Sequence, residues 1–155
     1  MWNLDKKHST IKFEIEAMDL TERFINYTKF DTQSCEESDS VPSTEKQLVF
    51  AKYLKKELED EGFSDVEMDK MGYIYATLKG NTKKKTPTIG FISHYDTSPD
   101  ASGKDVKARI ISNYDGKDIQ LSPGIFSTVE KFPELKAHVG EDLIVTDGTT
   151  LLGAD

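Results

Sequence analysis

Thr88-Ile89-Gly90-Phe91-Ile92-Ser93-His94-Tyr95-Asp96 is the stretch on which the reading of the fold turns. Its first six residues are short, apolar and β-prone, and Pro87 bounds them. An apolar run of this kind, without the alternation of a half-solvated strand, is the pattern of a strand covered on both faces. It predicts a central, buried strand over 88–93. His94 and Asp96 follow at once. In an extended segment, residues i and i+2 share a face, and open α/β sheets collect ligands at the carboxyl ends of their strands. The pair therefore falls where sites are built.

The residue types suit a metal. Imidazole is a good zinc ligand, and a neighbouring carboxylate can bond the other ring nitrogen, fix the tautomer and raise the basicity of the ligand. The spacing by itself also has a plain reading: a histidine at a strand end, capped by a turn aspartate. A second apolar stretch, Leu143-Ile144-Val145-Thr146, leads through a turn at Asp147-Gly148 to Asp155. A carboxylate there can bridge two metal ions, but alone it says nothing in so acidic a chain.

Working outward, Leu20, Phe24, Ile25 and Tyr27 fall at helical spacing and predict a helix over 19–30, with Asp19 and Thr21 near its start and Thr28 and Lys29 facing out. Asp31 to Val41 reads as a polar loop. A longer helix follows Pro42-Ser43, with Thr44 and Gln47 at capping-box spacing and a core stripe of Leu48, Ala51, Leu54 and Leu58, broadened by Val49, Phe50 and Tyr53. Gly62 is the expected left-handed stop. Two short strands are predicted over 65–78. A basic loop carries Lys83, Lys84 and Lys85, and further strands are expected at 109–112, 119–121 and 143–146. Pro133 breaks any long helix between 127 and 139. The order of elements predicts an α/β fold, a mixed sheet flanked by helices.

The chain has 155 residues, 20 Lys+Arg against 28 Asp+Glu, and a net charge of −8. Such an acidic balance argues against nucleic acid or an anionic membrane as partner. No apolar run approaches the roughly 20 residues of a membrane span, and no apolar core of a secretory signal is present at the start. One cysteine, Cys35, rules out an internal disulfide. These features predict a soluble, cytoplasmic protein. Residues 1–17, where Ile11, Phe13 and Ile15 alternate with charges, read as a leader or tag-like extension. Residues 18–155 read as a piece of a longer protein.

Four blocks carry a resemblance. They are Met18-Asp19-Leu20 with Phe30-Asp31-Thr32-Gln33-Ser34, then Val41-Pro42-Ser43-Thr44-Glu45, then Ser93-His94-Tyr95-Asp96-Thr97-Ser98-Pro99-Asp100, and Asp147-Gly148-Thr149-Thr150-Leu151-Leu152-Gly153-Ala154-Asp155. Together, from Met18 to the last residue, they resemble the tripeptide aminopeptidases of the peptidase T family, co-catalytic di-zinc metallopeptidases. The resemblance implies a ligand role for His94, a bridging role between two zinc ions for Asp155, and an orienting role for Asp96, which counts with the catalytic residues. It implies that residues 18–155 are the N-terminal part of the catalytic domain of a longer protein. It implies hydrolysis of the N-terminal residue from short peptides by a homodimeric parent enzyme. Tyr95 stands where the family commonly has a smaller β-branched residue; its ring is expected to point away from the metals, so the departure is expected to have little effect. The family's paired glutamates, a further aspartate and a distant histidine, and its smaller second domain, match nothing in these residues. The 155-residue chain is therefore expected to be inactive alone. Related di-zinc dipeptidases, carboxypeptidases or deacylases, and a non-catalytic binding domain of the same fold, are the alternatives. The Thr97-Ser98-Pro99-Asp100 continuation points to the aminopeptidase.

Overall fold

The computed structural model describes residues 19–152. The alternating segment over 11–15, the leader over 1–17 and the expected metal ligand Asp155 lie outside the described residues.

Helix α1 (Leu20–Tyr27) starts where Asp19 accepts the backbone N–H of Thr21 at 3.2 Å, satisfying one of the amides that a helix start leaves without a partner. It stops earlier than the periodicity predicts. Thr28 is buried rather than facing out, and its hydroxyl donates back to the carbonyl of Ile25 at 2.8 Å. A hydroxyl that competes for the helix's own carbonyls favours termination.

Helix α2 (Glu45–Asp60) buries Gln47, Phe50 and Ala51. The expected capping box is absent. The Thr44 hydroxyl donates instead to the carbonyl of Gln33, and Gln47 donates to the hydroxyl of Ser43. These bonds tie the helix start to the preceding loop. The end of α2 follows expectation. Gly62 takes φ +81°, its N–H donates to Glu59 O, and the N–H of Phe63 donates to Leu58 O. This is the Schellman pair of bonds that a left-handed residue permits.

The two helices meet through aromatic rings. Phe50 lies 5.2 Å from Tyr27 and 4.8 Å from Phe30, centroid to centroid, and Phe30 lies 4.8 Å from Tyr53. Rings at these separations add about 0.5–1.5 kcal/mol per pair beyond the area they bury. Polar bonds close the edge of the cluster. Tyr27 donates to Glu57 at 2.8 Å, Asn26 donates to the hydroxyl of Tyr53 at 2.7 Å, and Arg23 pairs with Glu57 and Glu61.

The strands form three antiparallel pairs. Strand β1 (Ser64–Met68) pairs with β2 (Ile74–Thr77), with a register shift between Ser64 and Glu67. In β1, half-buried Val66 and Met68 alternate with exposed Asp65 and Glu67, as the pattern predicts. Strand β3 (Arg109–Ile111) pairs with the distant β6 (Leu143–Val145), Ile110 opposite Ile144. Strand β4 (Ile119–Ser122) turns through Pro123-Gly124 into β5 (Ile125–Ser127). Gly124 at φ +81° supplies the positive φ that a turn with proline before it requires. A 3-10 helix, Pro133–His138, precedes β6. The mixed α/β class holds, with the strands divided among three ribbons.

The expected central strand is the main correction. Residues 88–93 form no ladder with any described residue, and Phe91 and Ile92 are about fully exposed, at 95% and 101%. A strand exists through its neighbours, because its N–H and C=O groups need partners outside the segment. Among the described residues none lies alongside, so apolar character alone leaves the segment unpaired.

Candidate functional site

Beyond that exposed run the chain becomes tied down. The imidazole Nδ1 of His94 lies 3.0 Å from the backbone oxygen of Asp96 and 3.2 Å from its Oδ1. A backbone carbonyl can only accept, so a neutral His94 carries its proton on Nδ1 and leaves Nε2 as a lone pair. The pair is solvent-accessible, with 68% of the His94 side chain and 44% of the Asp96 side chain exposed.

Two anchors flank the pair. Tyr95 donates its hydroxyl to the carbonyl of Gly72 at 3.0 Å, and its ring meets that of Phe50 edge-on at 6.0 Å. Gly72 closes the β1–β2 turn at φ +90°, where Asp69 Oδ1 accepts the N–H groups of Met71 and Tyr73. The Tyr95 ring thus leaves the His94–Asp96 pair and joins the aromatic cluster. Its phenol is raised above the ordinary tyrosine value, first by burial and then by the nearby Asp96, Asp69 and Tyr73.

On the other side, buried Thr97 forms a parallel bridge with Gln33. Its N–H donates to Thr32 O, and its carbonyl accepts both the N–H and the hydroxyl of Ser34. Gln33 Nε2 reaches the carbonyls of Pro99 and Ala101 at 3.1 and 3.0 Å. The loop over 31–34 is in turn held to α2 by the Lys46–Asp31 pair at 2.8 Å. The Phe30-Asp31-Thr32-Gln33-Ser34 block and the block that follows His94 are therefore one structural unit.

The chain returns to this unit near its end. The N–H of Leu151 donates to the carbonyl of Ser102 at 2.9 Å. The turn before it is fixed by Asp147, which accepts from Thr149 and pairs with Lys107 at 3.0 Å. The Thr149 hydroxyl, and then Lys107, hold the Asp147 carboxyl down at about 2. Among the sequence-predicted site residues, the structure brings His94 and Asp96 together. Among the described residues no group of three His, Cys, Asp or Glu side chains converges.

Sequence reasoning missed the clamp made by Gln33 and Ser34. Their polar side chains in a loop carried no periodicity to mark them. The only signal was their place in a block that matched the family.

No protein-family model matches the chain. Curated relatives do. The chain is 58% identical over 138 residues to peptidase T of Caldanaerobacter subterraneus subsp. tengcongensis. It is 54% identical over 139 residues to peptidase T of Clostridium botulinum, in both the Loch Maree and Hall strains. Over that span the chain is similar to peptidase T. Each match covers 88% of this chain and 34% of the relative, so the chain spans about a third of the length of the peptidase T proteins it matches. No helix among the described residues is long and apolar enough to cross a membrane.

Proposed function

We propose that this chain is the N-terminal part of a zinc-dependent tripeptide aminopeptidase, which removes the N-terminal residue from short peptides in the cytoplasm and works as a homodimer. The observation that carries the reading is the His94–Asp96 contact at 3.0–3.2 Å in a chain 58% identical to a peptidase T.

The donor set fits zinc in part. With Nδ1 committed to Asp96, His94 offers a lone pair on Nε2, the form in which imidazole binds zinc. Asp155 is the second proposed ligand, the bridge between two ions. When bound, zinc supplies Lewis acidity, polarising a peptide carbonyl and making water acidic near neutral pH. The task of this chain's residues is to hold His94 in one tautomer and orientation. Catalytic zinc takes three protein ligands plus water, and His94 and Asp155 fall short of that count. The 155-residue chain by itself is therefore proposed to bind zinc weakly and to leave peptides intact.

The test is a chimera in which residues 18–155 replace the matched segment of the Caldanaerobacter peptidase T, with the unmodified protein run in parallel. The chimera is expected to hydrolyse tripeptides in preference to dipeptides and acylated amino acids, and to lose activity with a chelator. His94→Ala should remove both bound zinc and turnover. Asp96→Ala should lower turnover about 10- to 100-fold, more than it lowers zinc content. A folded chimera indifferent to His94→Ala would refute the proposal.

A further inference from the structure

Among the described residues, the segment that carries His94 has no ladder on its N-terminal side, since 88–93 pairs with none of them. What holds it there must come from its own side chains. Tyr95 is the residue that provides this. Its hydroxyl spans to the Gly72 carbonyl at 3.0 Å, and its ring stands edge-on against Phe50 at 6.0 Å. The acceptor is itself rigid, in a turn closed by the two N–H bonds to Asp69. The fit is close enough that a Cβ on Gly72 would come within 2.6 Å of the Tyr95 oxygen. A residue without the ring and hydroxyl could make neither contact.

We propose that Tyr95 is a positioning residue for His94: by anchoring the 94–96 segment to the β1–β2 turn and the aromatic cluster, it keeps Nδ1 on Asp96 and Nε2 directed outward. Its value for catalysis rests on the reading of His94 as a metal ligand. The positioning itself does not, and the two are separable by experiment.

The measurement is the ratio of Nδ1–H to Nε2–H tautomers of His94, read from the ring nitrogen shifts in NMR spectra of the metal-free 155-residue chain. Tyr95→Phe keeps the ring and removes the hydroxyl. The ratio is expected to fall about two- to tenfold, the effect of one lost neutral hydrogen bond. Tyr95→Val, which removes ring and hydroxyl together, should lower it further. An unchanged ratio in folded Tyr95→Phe overturns the proposal, whether or not the valine variant folds. Zinc alone is then titrated while the His94 ring is followed. Weaker binding in the order wild type, Phe, Val links the anchor to the metal. Because the chain alone is proposed to bind zinc weakly, zinc is raised to large excess; a wild-type His94 that remains unperturbed there overturns the metal reading, and the tautomer ratio still decides on Tyr95.

Discussion

Two phenylalanines of the chain should respond very unequally to the same substitution. Phe50 is 5% exposed and touches the rings of Tyr27, Phe30, Tyr53 and Tyr95. Truncation to alanine removes a buried ring and leaves a cavity that four neighbouring rings can close only in part. The expected loss is about 3–5 kcal/mol. With a urea dependence of about 1–3 kcal/mol per molar for a small domain, the midpoint should fall by about 2 M. Phe91 is 95% exposed. Phe91→Ala should change stability by no more than about 0.5 kcal/mol, as for any surface site with no specific contact. Urea unfolding of the 155-residue chain, followed by far-ultraviolet circular dichroism, measures both. A loss above about 2 kcal/mol for Phe91→Ala would mean that 88–93 is packed in solution, and the exposed segment described above would be wrong. A loss below about 1 kcal/mol for Phe50→Ala would remove the aromatic cluster as the junction of the two helices.

Gly72→Ala should destabilise the chain by about 1–3 kcal/mol, because an alanine at φ +90° is strained and its Cβ meets the Tyr95 oxygen. In the Tyr95→Phe background the same change should cost less, and a double-mutant cycle without coupling would refute the contact. Asp147 gives a pH-dependent outcome. Its carboxyl is depressed from 3.8 to about 2 on folding, so its contribution is fully present above the unfolded value and is lost as the pH falls through the folded one. The stability difference between wild type and Asp147→Asn should be constant above about pH 4 and shrink toward about pH 2. A difference that stays constant down to that pH, measured by urea unfolding, would refute the Thr149 and Lys107 contacts.

The sequence by itself determined the elements whose cause is local. The period of Leu20 to Tyr27 and of Leu48 to Leu58 specified two helices, Gly62 specified where the second ends, and alternation at Val66 and Met68 specified a strand. Spacing put His94 and Asp96 within reach of each other, since two residues apart in sequence is already close in space. The strand β5 was open to the same reasoning, because Pro123-Gly124 is a turn signal followed by Ile125-Phe126. Tertiary structure decided everything that depends on residues far apart in the chain. It chose β6 as the partner of β3 across more than thirty residues, and it turned Tyr95 toward Gly72 and Phe50. It also set Gln33 and Ser34 against the loop after Asp96, and left the most strand-like run, 88–93, without a ladder among the described residues. An apolar stretch states only that it would be buried if something covered it. Whether a neighbour's backbone lies alongside is a property of the assembled chain, and no window of sequence contains it.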